Sequence, residues 1–177
     1  MPDPSLPDAQ AEVAAAVEAV ARDESAIEVP GELIVEIEGS AARPPEPPKA
    51  LWLQIREMTV VQRVKLALRG NRDARLILLH DHSKLIRRMV LQNPRISEDE
   101  IVMLARDRNS DEDMLRLIAE SREWTKAYPV RTALVENAKT PVAKALQLLS
   151  TLAEREISRL AKSKNVPNVI ATQARRL

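Results

Sequence analysis

Two histidines stand in this chain of 177 residues, and they stand together, as His80 and His82 in the run HDHS. A metal site needs ligands that converge, but a spacing of two puts these rings on different sides of a helix, and the sequence nominates no third ligand. The run reads as a helix end where His and Asp meet solvent. Two carboxylate triplets, Glu98-Asp99-Glu100 and Asp111-Glu112-Asp113, carry the side chains that acid–base catalysis uses. Both fall where the pattern starts a helix, so they complement the positive end of the helix dipole. GNRDAR, residues 70–75, has a single glycine and lacks the spacing of a phosphate-binding loop. Cysteine is absent, which removes disulfides, thiolate zinc sites, iron–sulfur clusters and thiol nucleophiles. No catalytic residue, cofactor site or metal site is nominated, and the expectation is a protein that is not an enzyme.

The chemistry that recurs is that of arginine. The stretch RRMVLQNPRISEDEIVMLARD, residues 87–107, returns 44 residues later as RTALVENAKTPVAKALQLLST. That shift places Arg87 on Arg131, Asn93 on Asn137, Arg95 on Lys139 and Leu104 on Leu148. A second shift of the same size reaches the chain end, where ARRL sets Arg175 in the series. A period of this length suits a pair of antiparallel helices, whose apolar faces are covered by stacking on the next pair. Two amphipathic helix–turn–helix segments in a non-repetitive bundle would also look alike. In a stack, Arg87, Arg131 and Arg175, with Arg88 and Arg176 beside them, would form one guanidinium face suited to carboxylates or phosphates. Trp124 joins them either as an anchor or as packing.

The elements that would hold such a face are helices. Thr59 is placed to cap VVQRVKLALRG, and Gly70-Asn71 suits a left-handed stop. Ser97 with Glu100 forms a capping box, Ser110 with Asp113 starts the next helix similarly, and Thr140 is placed to cap a helix beginning at Pro141. Phe is absent and only Trp52, Trp124 and Tyr128 are aromatic, so the core must be aliphatic.

Before these helices the composition changes. Residues 1–49 hold 11 acidic and 3 basic residues, and residues 50–177 hold 15 acidic and 24 basic. The division expected is an acidic arm at 1–49 and a helical-repeat domain at 50–177. The arm carries a helix over 11–24 with Val13, Val17 and Val20 in one stripe, a strand-like segment at GELIVEIEG (31–39), and a proline-rich linker over 42–50. No partner strand appears later in the chain. The segment is therefore disordered, packed as an extended arm, or added to another sheet edge, the last implying self-association through Glu32–Glu38. The acidic arm either solvates a basic domain or folds back over it. No apolar run approaches the ~20 residues that span a bilayer, and the N-terminus lacks the features of a signal peptide. The expected location is cytoplasmic, with no membrane partner.

The pattern of an apolar pair, Asn, a following Pro or Thr-Pro and a Leu-rich helix, in MVLQNPRISEDEIVMLARD and LVENAKTPVAKALQLLSTL, resembles the leucine-rich repeat variant group within the HEAT and armadillo-like α-solenoids. The resemblance covers about residues 60–177. It implies a right-handed superhelix offering a continuous surface to macromolecules. The unit of that group is shorter, and the cysteine-ligated cluster of its founding member has no ligands in this chain. The sequence thus predicts an all-α, HEAT-like repeat scaffold that binds an acidic protein partner. The alternative is a nucleic-acid binder using the basic face, including the acid-free tail 157–177.

Overall fold

A computed structural model describes residues 7–22, 27–35 and 49–177. The chain is all-α, with eleven α-helices and two short 3-10 turns among the described residues and no strand. It divides into two compact units, up to Ile96 and from Ser97 onward.

The first unit holds α1 (Pro7–Ala21), a 3-10 turn (Gly31–Leu33), α2 (Lys49–Glu57), α3 (Val60–Arg69), α4 (Arg72–Leu78) and α5 (Lys84–Val90). Helix α3 lies against α1 and α5, and α2 lies against α4. The helix of the acidic segment is thus part of a fold shared with α3 and α5. It buries Val13, Ala16 and Val20, and Val17 is half-buried. Thr59 caps α3 through a reciprocal pair: Gln62 N donates to Thr59 Oγ1 at 3.3 Å, and Thr59 N donates to Gln62 Oε1 at 2.9 Å.

Two local expectations are overturned here. Gly70 ends α3 in extended backbone (φ −67°, ψ 156°), not in the left-handed region. Glycine is required there for space, because an added Cβ would sit 2.3 Å from the Leu66 carbonyl oxygen. Asn71 is instead the cap of α4, accepting from Ala74 N at 3.1 Å. The described part of the strand-like segment forms a 3-10 turn followed by Ile34 and Val35. The rest of that segment, including Glu36 and Glu38, and the linker prolines before Lys49 lie outside the described residues.

The second unit holds α6 (Glu98–Arg106), α7 (Glu112–Glu120), a 3-10 turn (Trp124–Lys126), α8 (Tyr128–Glu136), α9 (Val142–Leu149), α10 (Glu154–Lys162) and α11 (Asn168–Ala174). Each helix pair α6–α7, α8–α9 and α10–α11 is in contact, and α6 also meets α8, α7 meets α9, and α9 meets α11. The core is aliphatic, as the absence of Phe requires: Ile101, Leu115, Ile118, Leu134, Leu149 and Ile170 are almost wholly buried. Each such side chain contributes about 1.5–3 kcal/mol through water release. Leu104 and Leu148 are both buried, as their shared place in the repeat predicts.

Helix α6 starts in the expected capping box, with Ser97 N donating to Glu100 Oε2 at 2.9 Å and Glu100 fully buried. Two other caps differ from expectation. Asp111, not Ser110, caps α7, while the Ser110 hydroxyl donates to the Leu104 carbonyl at 2.6 Å. Pro141, not Thr140, occupies the cap of α9, and the Thr140 hydroxyl is buried with no hydrogen-bond partner among the described residues.

Candidate functional site

The arginine series holds in two of its three places, where each side chain bonds the fold. Arg87 and Arg131 are each the fourth residue of a helix, α5 and α8, and both are half-buried. Each points Nη1 at the carbonyl six residues earlier, Arg87 to Asp81 at 2.8 Å and Arg131 to Thr125 at 3.3 Å. The Arg131 guanidinium also lies 5.4 Å from the centre of the Tyr128 ring. Both side chains therefore latch the turn that precedes their helix. Arg175 departs from the series: it follows α11 as its C-cap and donates from Nε to Ala161, fourteen residues back, at 3.0 Å. A shift of 44 from α8 reaches the end of α11 because the intervening chain forms three helices, α9 to α11. Arg88 is half-buried in the first unit, whereas Arg175 and Arg176 are exposed in the second. Trp124 is half-buried in its 3-10 turn.

The repeated asparagine is also structural. Asn93 and Asn137 are both buried. Asn93 Nδ2 donates to the carbonyls of Ala67 (3.0 Å) and Gly70 (3.3 Å) at the end of α3. Asn137 Nδ2 donates to those of Ala105 (2.8 Å) and Asp107 (3.0 Å) at the end of α6. Each side-chain oxygen accepts from the backbone two residues on, at Arg95 and Lys139. One amide thus closes its own turn and clamps carbonyls at the C-terminal end of the neighbouring helix.

This clamp sets the floor of a cleft in the second unit. The ends of α6, α8 and α10 meet there around a volume of about 270 Å³, lined by Arg106, Arg108, Glu136, Asn137, Arg159, Ser163 and Asn165, among others. Arg159 is pinned between two carboxylates, reaching Glu136 on α8 and bonding Glu156 through Nε at 2.8 Å. Hydrogen bonds to Glu136 and Glu156 raise the pKa of its guanidinium against the opposing effect of burial. Arg106 and Arg108 are exposed, and neither forms an ion pair among the described residues. With three guanidiniums against the Glu136 carboxylate, the Asn165 amide and the Ser163 hydroxyl, the cleft presents donors to an anion. Arg106 and Arg108 stand outside the 44-residue series of arginines; their signal in the sequence is an Arg on each side of Asp107, at the turn that Asn137 clamps.

In the HDHS run His80 and His82 are exposed as expected, but the Asp81 side chain is not: it is tied to Arg63 on α3. Asp81 pairs with Arg63 at 2.6 Å and accepts from Ser83 N at 2.8 Å, while His80 contacts the Leu76 carbonyl at 3.0 Å. Among the described residues no group of three His, Asp or Glu is placed to hold a metal ion, and no helix is long and apolar enough to cross a membrane. The chain matches no protein-family model, no curated protein and no solved structure.

Proposed function

We propose that the chain is a non-enzymatic helical-repeat interaction module whose cleft in the second unit takes an acidic segment of a protein partner. The observation that carries this reading is the pair of exposed guanidiniums, Arg106 and Arg108, beside the pinned Arg159 in one concave site. Bidentate donors fixed around a cleft favour carboxylates, and two of them hold no carboxylate of their own unit. The repeat reading is supported by matched bonding: Arg87 and Arg131 make the same six-residue latch, and Asn93 and Asn137 the same clamp. Alternation of contacts between successive helix pairs fits a solenoid, in which each pair covers the next.

The test uses fluorescence anisotropy with a labelled Glu- and Asp-rich peptide and a neutral control. Arg106→Glu with Arg108→Glu should weaken the acidic peptide about tenfold or more and flatten its salt dependence, at unchanged helix content. Equal binding by wild type and variant would remove the cleft from the proposal. A labelled single-stranded RNA serves as the third probe. Tighter binding of RNA than of peptide, with a steep fall in added salt, would establish the nucleic-acid alternative.

A further inference from the structure

Residues 27–35 run along the first unit: Pro30 O and Gly31 O close the segment's own 3-10 turn, and the carbonyls of Ile27, Glu28, Glu32, Leu33, Ile34 and Val35 are held by the host. Lys65 Nζ donates to Ile27 O at 2.5 Å and Gln62 Nε2 to Glu28 O at 2.8 Å, both from α3. Asn71 Nδ2 donates to Glu32 O at 2.7 Å and Val35 O at 3.3 Å, and Asn71 N to Leu33 O at 2.7 Å. Arg95 Nη1 donates to Ile34 O at 2.7 Å. Leu33 alone in this segment is fully buried, at 4% exposure, while Glu28, Glu32 and Val35 face solvent.

We propose that this track, Gln62, Lys65, Asn71 and Arg95 with the seat of Leu33, is a peptide-binding site occupied by the chain's own segment. The ligand class it fits is a short peptide with one buried aliphatic anchor. The bonds from the host all end on backbone carbonyls, which every peptide carries, so apart from the anchor the track reads chain shape rather than side-chain identity. The exposed side chains of the segment contribute nothing to that recognition. The internal segment has the advantage of high effective concentration, so a competing peptide binds only when the segment is released or outcompeted. This site lies in the other unit from the arginine cleft and stands or falls separately from it.

The test uses the full chain and a fluorescein-labelled peptide, IEVPGELIV, copied from residues 27–35. Leu33→Asp in the chain empties the anchor seat, and this variant should bind the peptide at least tenfold more tightly than wild type. Adding Lys65→Met and Arg95→Leu should reverse that gain, and a peptide with Asp at the anchor should not bind. If the folded Leu33→Asp chain binds the peptide no better than wild type, the track is not a peptide site. Should Leu33→Asp fail to fold, the Cys-free chain allows Glu28→Cys with a fluorophore on an otherwise wild-type molecule. Excess unlabelled peptide should then shift its emission by displacing the segment. No shift up to the solubility limit of the peptide would overturn the proposal.

Discussion

At the scale of single residues, the asparagines do most to explain the repeated sentence in the chain. Asn137 donates to the Ala105 carbonyl in a buried place and to the Asp107 carbonyl, which also accepts from Ser110 N, so Asn137→Ala removes both of these bonds. The expected loss is about 1–3 kcal/mol, read as a lower midpoint in urea denaturation. Thr140 presents the opposite case. Its hydroxyl is buried with no partner among the described residues, and valine has the same branched shape without the polar atom. Thr140→Val should therefore stabilise by about 1 kcal/mol in the same assay. Sequence reading found Asn93, Asn137, Arg87 and Arg131 as a repeated set and gave the arginines to a partner. Their bonds go to carbonyls six residues back in the chain, a contact that depends on turn geometry and leaves no mark in residue spacing.

At the scale of elements, capping chemistry was legible where both halves of the signal were present. Thr59 with Gln62 and Ser97 with Glu100 form reciprocal boxes, since side chains three residues apart satisfy each other locally. The starts of α7 and α9 slipped by one residue because Asp111 competes with Ser110, and Pro141 with Thr140, for the same position. The strand-like reading of 31–39 rested on β-branched composition; in its described part the Glu32, Ile34 and Val35 carbonyls go to side chains of the host, which composition does not encode. Two core residues, Leu104 and Leu148, were legible from their shared place in the repeat, and both are buried. Leu104→Ala in α6 and Leu148→Ala in α9 should each cost about 2–5 kcal/mol, while Lys139→Ala in the turn between α8 and α9 should cost under about 0.5 kcal/mol. Thermal melts of the three variants check the contrast. Truncating the acidic segment is a poor probe of charge, because α1 buries Val13, Ala16 and Val20 and its loss would damage the first unit.

At the scale of the whole molecule, a formal charge of +1 conceals where the charges lie. Within residues 97–177, nine of the twelve acidic residues precede Lys126, whereas ten of the fourteen basic ones are Lys126 or later. The acidic partner proposed above would therefore meet its attractive field toward α8 to α11, and its association rate should fall as salt screens that field. The scarcity of aromatic rings has a spectroscopic consequence. Trp52, tilted against His80 with ring centres 6.0 Å apart, lies in the first unit; Trp124 lies in the second. Intrinsic fluorescence thus carries one lamp per unit. Trp124→Tyr leaves emission from the first unit alone, and Trp52→Tyr leaves the second. If the units unfold separately, the two emission curves should part along a urea gradient; superimposed curves would mean a single cooperative transition.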